Sequence, residues 1–424
     1  GEDAQDGGVS LEMKDVNNPC GQVENWTSSI AIEGGTPGLL NAATEGVPDN
    51  FGPTLVSARA LNTGTIELLF DEQLGANSPN NTVLIFEPSL AVERVLFAED
   101  RQSLYVFLQD ELVVNQPVTI EVYGTIDCLG NSVKTNSTQI VLSDVGTPGD
   151  LVLNELLFNP RSEGVDFIEL HNISNKYIDL NGWKIGRRLD DGSIDYEIID
   201  SLVIIAPEVT LALTTDTIII KNQYPKGIKE LLQLSSLPTM PNSEGTVVIT
   251  NVNDVVVDEF TYDEDYHLSF LENVDGVSLE RIDANVDTQN PDNWTSASSA
   301  VGYATPGYTN SQSYEIPVAT AVVSIEPKVF VPGNRSAAHQ SFTTINYQLD
   351  QTGQFANITV YNQMGQPIAD LGKGISLGSS GFIRWDGTSF DGSVVRRGYY
   401  VVLFELYDGS GKSQTLKETV VVGK

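Results

Sequence analysis

The chain has 424 residues, 40% of them apolar, with 57 acidic against 23 basic side chains and a formal net charge of −34. That length is enough for about three domains, each with its own core, and the negative field repels nucleic acid phosphates and anionic membrane surfaces. No apolar run reaches the ~18 residues of a membrane-spanning helix; the longest, SLVIIAPEVTLAL from Ser201, is broken by Pro207 and Glu208.

The opening segment carries a phrase that returns. GVSLE at Gly8–Glu12 reappears at Gly276–Glu280, and NWTS at Asn25 reappears at Asn293. After one inserted residue, TPG at Thr36–Gly38 meets TPG at Thr305–Gly307, and Asn41 meets Asn310. Three blocks in order at near-constant spacing mark a duplicated frame. Residues 1–45 therefore read as the C-terminal piece of a truncated first domain, and 150–311 as a full copy. Residues 50–145 form a self-contained block between them. SQSYEIPVATAVVSIEP leads into a last domain over 323–424.

Along these blocks the hydrophobic period is two. VTIEVY places Val118, Ile120 and Val122 on one side; INYQL and ANITVY do the same through Ile345, Tyr347 and Leu349, and through Ile358 and Val360. Such segments are strands with one buried face. Turn pairs such as Asn181-Gly182, Asp275-Gly276 and Asp391-Gly392 separate them. The predicted fold class is all-β, as serial Ig-like β-sandwich domains. One helix of a turn or two is expected in YPKGIKELLQLSSL, from Tyr224.

Three resemblances accompany this reading. Asn154-Glu155, the strand Phe167–Leu170 (FIEL), the Asp179–Trp183 strand and the closing GVSLE…NW…TPG resemble the bacterial lamin tail domain, which implies an Ig-like sandwich over 150–311. Filament assembly does not carry over, because the chain has no heptads. TIELLFDEQL from Thr65 and IDCLGN at Ile126–Asn131 resemble the Ig-like domains of bacterial surface proteins. TINYQL, ITVYNQMGQPIADL, IRWDGTSFDGSVVRRGYYVV and KETVVVGK are similar to the Ig-like domain of flagellar hook-capping proteins, and to C-terminal sorting domains of the type nine secretion route. The latter implies either a removed signal or a retained sandwich.

Residues capable of chemistry are sparse. The histidines, His171, His267 and His339, lie in unrelated contexts. His171 shares a strand face with Glu169, which reads as an acid–base pair or half a metal site, against the plainer reading of a strand-end residue with a local hydrogen bond. No hydrolase, phosphate-loop or dinucleotide motif appears. Asp283, Asn285 and Asp287 alternate like calcium-loop ligands but lack the loop glycine and terminal glutamate; a solvated Asx-rich turn is the plainer reading. Trp26, Trp183, Trp294 and Trp385 fall at frame positions expected to pack rather than to stack on sugar. Cys20 and Cys128 read either as one disulfide or as two free thiols.

The sequence thus points to a non-catalytic, monomeric, secreted or outer-surface protein. Its domains act as spacers and as binding or adhesion modules for a surface protein or glycan, with no cofactor beyond the calcium candidate. The alternative is a carbohydrate-binding accessory region of a secreted hydrolase whose catalytic part lies upstream.

Overall fold

Alternation in the sequence becomes alternation in burial. In the computed structural model every second residue of Thr65–Phe70, Val118–Tyr123 and Thr343–Gln348 is buried. The structure describes residues 7–16, 23–44, 50–134, 136–313, 320–333 and 340–423. The fold is all-β, in several separate sheets. The chain divides into two units, Gly1–Asp144 and Val145–Lys424. No helix among the described residues is long and apolar enough to cross a membrane.

The first unit holds a two-stranded hairpin, Leu11–Met13 against Trp26–Ser28, and a sandwich. One sheet of that sandwich runs Leu55–Asn62, Thr65–Phe70, Ser103–Leu108, Val92–Phe97; the other runs Val83–Glu87, Val118–Tyr123, Asn136–Ile140. Ile66, Leu68, Leu104, Val106, Ile120 and Val122 meet between the sheets with no solvent exposure. Each such side chain stabilises the fold by about 1.5–3 kcal/mol relative to exposure.

The second unit contains two sandwiches. In the first, a six-stranded sheet (order Leu232–Leu234, Thr210–Thr214, Phe167–Asn172, Leu151–Leu157, Leu279–Arg281, Trp294–Ser296) faces a four-stranded sheet of Ile194–Ile198, Lys184–Arg188, Glu244–Thr250 and Val256–Asp263. Trp183, Phe260 and Trp294 lie in its core, with Phe260 and Trp294 stacked at 3.8 Å. The second sandwich, Val322 onward, pairs a three-stranded with a five-stranded sheet around Phe330, Tyr347, Trp385 and Phe404.

These two sandwiches have separate cores but are joined by hydrogen bonds. Ser298 and Ser299 hydroxyls donate to Ser376 O at 2.8 and 2.7 Å. Gln312 Nε2 donates to Leu377 O at 3.2 Å, and Ser379 donates from N to Ser311 O and from Oγ to Ser313 O at 2.9 and 2.6 Å. Phe270 packs on Phe355 and Tyr407 across the same junction.

The helix expectation needs correction. The α-helix in this region is Thr217–Gln223, ahead of Tyr224, and the stretch after Tyr224 forms only a 3-10 turn, Lys229–Leu231, before the strand Leu232–Leu234; a further short α-helix is Ser78–Asn81. TIIIKNQ is rich in β-branched residues and reads as strand. Its cap overrides this: the Asp216 carboxylate accepts from Ile218 N and Ile219 N at 2.8 and 2.9 Å. Asp216→Ala is expected to destabilise the second unit by about 1 kcal/mol, read as a lower urea midpoint with unchanged m-value.

A buried three-carboxyl cluster as the candidate functional site

Three fully buried carboxyls lie on adjacent strands of the six-stranded sheet. The Leu151–Leu157 strand is buried along its whole length, and its register shifts between Leu153 and Glu155. Such a bulge re-aims side chains; here it lets the consecutive residues Asn154 and Glu155 both join one polar network. Glu169 comes from the neighbouring strand, directly opposite Glu155. Glu280 comes from the strand on the other side, also opposite Glu155. All three carboxyls have no solvent exposure.

The loops after Trp294–Ser296 supply the hydrogen bonds. Thr305 N donates to Glu155 Oε1 at 2.8 Å, and Ser278 Oγ bonds the same oxygen. Gly307 N and Asn154 Nδ2 donate to the two Glu169 oxygens at 2.6 and 2.8 Å. Ser311 Oγ and Gln312 N donate to Glu280 Oε2 at 2.8 and 2.9 Å. Asn310 ties the cluster off: its Nδ2 donates to Asn154 O and Arg281 O, and its Oδ1 accepts from Asn154 Nδ2.

Thr305 Oγ1 lies 3.0 Å from Glu155 Oε2 and 2.8 Å from Glu280 Oε1. A hydroxyl has one hydrogen. It can donate to one carboxylate only, and it can accept from the other when that carboxyl holds a proton. Electrostatics agree. Burial, and then the facing Glu169 and Glu280, push Glu155 well above the ordinary carboxyl range. Burial pushes Glu169 up to about 8 and raises Glu280. All three carboxyls are sealed from solvent in this structure. The chemistry of the cluster is that of a latch holding residues 276–312 to the sheet.

The residues singled out in the sequence are placed elsewhere. Glu169 accepts from Asn154 and Gly307, and no hydrogen bond joins it to His171 among the described residues. His171 is half-buried with Nδ1 unpartnered, and burial lowers its pKa. His267 is buried against Phe158, its Nδ1 2.9 Å from Ser296 Oγ, and burial pushes it down to about 4. His339 lies outside the described residues, as does Cys20; Cys128 is half-buried in the turn before Gly130.

Asp283 Oδ1 accepts from Asn285 N at 2.9 Å and Asp287 Oδ1 from Gln289 N at 2.9 Å, the bonds of Asx turns. The carbonyls of Asp283 and Val286 receive the Arg281 guanidinium, so an arginine occupies the interior of this loop. Trp183, Trp294 and Trp385 are buried, and Trp26 is half-exposed.

The sequence reading passed over the cluster because any two of 57 acids could lie together. A signal was available: Ser278, Glu280, Thr305 and Asn310 all fall in the duplicated frame. Their counterparts bond alike. Thr36 Oγ1 donates to Glu12 Oε1 as Thr305 does to Glu280, and Asn41 Nδ2 donates to Met13 O as Asn310 does to Arg281 O. Ala43 N reaches Glu12 Oε2 as Gln312 N reaches Glu280 Oε2.

Among curated proteins, none matches this chain. Solved structures that resemble parts of it include the N-terminal part of the bacterial S-layer protein SbsC (12% identity, TM-score 0.22), covering 50% of this chain and 43% of that one. A DUF4876 family protein from Bacteroides thetaiotaomicron VPI-5482 (12% identity, TM-score 0.22) covers 53% and 84%. A bacterial ice-binding adhesin (7% identity, TM-score 0.16) covers 87% and 96%. The chain thus spans less than half of the SbsC fragment. Residues 145–264, which contain Asn154, Glu155 and Glu169, match the family model of the Lamin Tail Domain, and the chain carries a domain of that kind.

Proposed function

We propose that this protein is a non-catalytic structural component of the bacterial cell exterior, in which the lamin-tail and C-terminal sandwiches act together as one stiff spacer presenting a binding surface. The observation that carries this is the junction between them. Ser376 O, Leu377 O and Ser379 of the second sandwich are fixed to residues 298–313 of the first, and Phe270 of the first packs on Phe355 and Tyr407 of the second. Buried hydrogen bonds of this type rigidify because leaving one unmade costs about 1–3 kcal/mol. Spacers need such stiffness. The buried acid cluster fits the same role, since its donors serve the fold.

At the junction a cleft of about 580 Å³, bordered by Lys226, Asn310, Tyr347 and the exposed Phe382, offers a polar and aromatic binding surface. The reading is tested in two steps. Protease shaving of intact source cells is expected to release peptides of residues 145–424, whereas recovery only after lysis would refute the exterior location. In solution, Gln312→Ala with Ser379→Ala is expected to loosen the junction, read as a broadened interdomain distance distribution between spin labels on the two sandwiches. An unchanged distribution would refute the stiff-spacer role.

A further inference from the structure

The hairpin within residues 8–16 and 23–43 repeats the strand pairing and several loop hydrogen bonds of the closing segment of the lamin-tail sandwich. Leu11↔Ser28, Glu12↔Thr27 and Met13↔Trp26 reproduce Leu279↔Ser296, Glu280↔Thr295 and Arg281↔Trp294. Its loops follow: Ser10 N donates to Gly34 O as Ser278 N does to Tyr303 O, and Asn25 Nδ2 donates to Asp15 O as Asn293 Nδ2 does to Asp283 O. What differs is what stands behind it. The Leu279 strand pairs on its far edge with the Leu151 strand. The Leu11 strand, among the described residues, has only the Trp26 strand in its sheet.

Apolar exposure marks the same difference. Leu11 is 69% exposed where Leu279 is 0%, and Trp26 is 46% exposed where Trp294 is 3%. Ile32, Leu39 and Leu40 also stand in solvent. Glu12 shows it electrostatically. It is sealed from solvent contact by its own loop but has little protein around it, so the hydroxyls of Ser29 and Thr36 lower its pKa where burial raises that of Glu280.

We propose that residues 8–16 and 23–43 are a docking site for the body of a second lamin-tail-type domain, one without a closing segment of its own. The partner is defined by chemistry. It presents a strand with an Asn-Glu pair to the open edge of Leu11–Met13, a carboxyl beside Glu12, and an aromatic face for Trp26. The body of this chain's own domain has each of these, as Asn154-Glu155, Glu169 and Phe260. This is strand addition at a sheet edge, with the apolar residues that now face water supplying the burial.

The test joins residues 145–275 of this chain directly to Gly8 of the full chain, reproducing the natural Asp275–Gly276 connection. The added body is expected to resist proteolysis, and amide exchange at Leu11–Met13 to slow by about 100-fold. Leu11→Asp in the same fusion is expected to abolish both. As a control for folding, the same body is placed ahead of a second copy of residues 276–312. If the control is protease-resistant and the fusion is not, the proposal is overturned. If neither folds, a synthetic peptide of residues 150–160 added to the full chain decides, slowed exchange at Leu11–Met13 supporting the proposal and unchanged exchange overturning it. Self-association of the unmodified chain that Leu11→Asp removes would assign the site to a second copy and also overturn it.

Discussion

Glu155→Gln is expected to leave the second unit nearly as stable as the parent at pH 5 and to make it more stable, by at least about 1 kcal/mol, at pH 8.5. The amide reproduces the protonated acid. Its oxygen accepts from Thr305 N and Ser278 Oγ, and its NH₂ donates to Thr305 Oγ1, which then gives its hydrogen to Glu280. In the parent that arrangement needs a proton. The folded pKa values of Glu155, Glu169 and Glu280 lie above the ordinary 4.5, so the folded state holds protons that the unfolded chain releases. Their stabilisation is complete below about pH 4.5 and is lost as pH rises through the folded values, about 8 for Glu169.

Asp166, pushed up to about 7 by burial, and Asp258, raised for the same reason, act with the same sign. His267 acts oppositely: depressed from 6.5 to about 4, it contributes stability above pH 6.5 that is lost as pH falls toward 4. Above pH 6.5 the carboxyls therefore act without opposition from His267, and the parent's stability falls toward pH 8.5, each proton contributing a slope of up to about 1.4 kcal/mol per pH unit. Urea midpoints at pH 5, 6.5 and 8.5 for parent and variant check this. A parent midpoint that does not fall from pH 6.5 to 8.5 would show that the folded cluster holds no extra proton over that range.

This latch marks where sequence reading succeeds and where it stops. Strand period, turn pairs and the duplicated frame are local patterns, and the sandwiches and the twin hairpins follow from them. Glu155, Glu169 and Glu280 come together only through sheet order: two strands that are neighbours in space, Leu151–Leu157 and Leu279–Arg281, are far apart in sequence. Nothing in the period of either strand records that pairing. The helix at Thr217–Gln223 shows a different limit, in which one capping aspartate outweighs three isoleucines. The junction with the C-terminal sandwich is carried largely by backbone carbonyls, which every residue possesses, so composition cannot announce it.

Arg281→Met is expected to be the most damaging single change in the lamin-tail sandwich, costing about 3–5 kcal/mol. The guanidinium is 2% exposed and lies 3.6 Å from Asp258. Its NH1 donates to Leu153 O and Thr288 Oγ1 at 3.0 and 2.8 Å, and its other nitrogens hold the carbonyls of Asp283 and Val286. Thr288 Oγ1 in turn donates to Asp258 Oδ2 at 3.0 Å, which also accepts from Leu153 N at 2.7 Å. Methionine fills the volume but leaves Asp258 as a buried carboxylate without its counter-charge and removes the guanidinium donors from the carbonyls of Leu153, Asp283 and Val286, of which Asp283 O keeps Asn293 Nδ2. Asp258 is already raised by burial and lowered in part by Arg281; without the arginine it rises further. Its contribution then falls more steeply as pH rises from about 4, so the variant's deficit is larger at pH 7 than at pH 4. Adding Asp258→Asn removes the stranded charge and is expected to recover part of the loss at pH 7 and little at pH 4. Amide exchange in residues 283–288 reports the carbonyl half of the effect and should stay fast in the double variant. A deficit independent of pH would mean that Arg281 acts on the loop carbonyls alone and that the Asp258 charge is balanced without it.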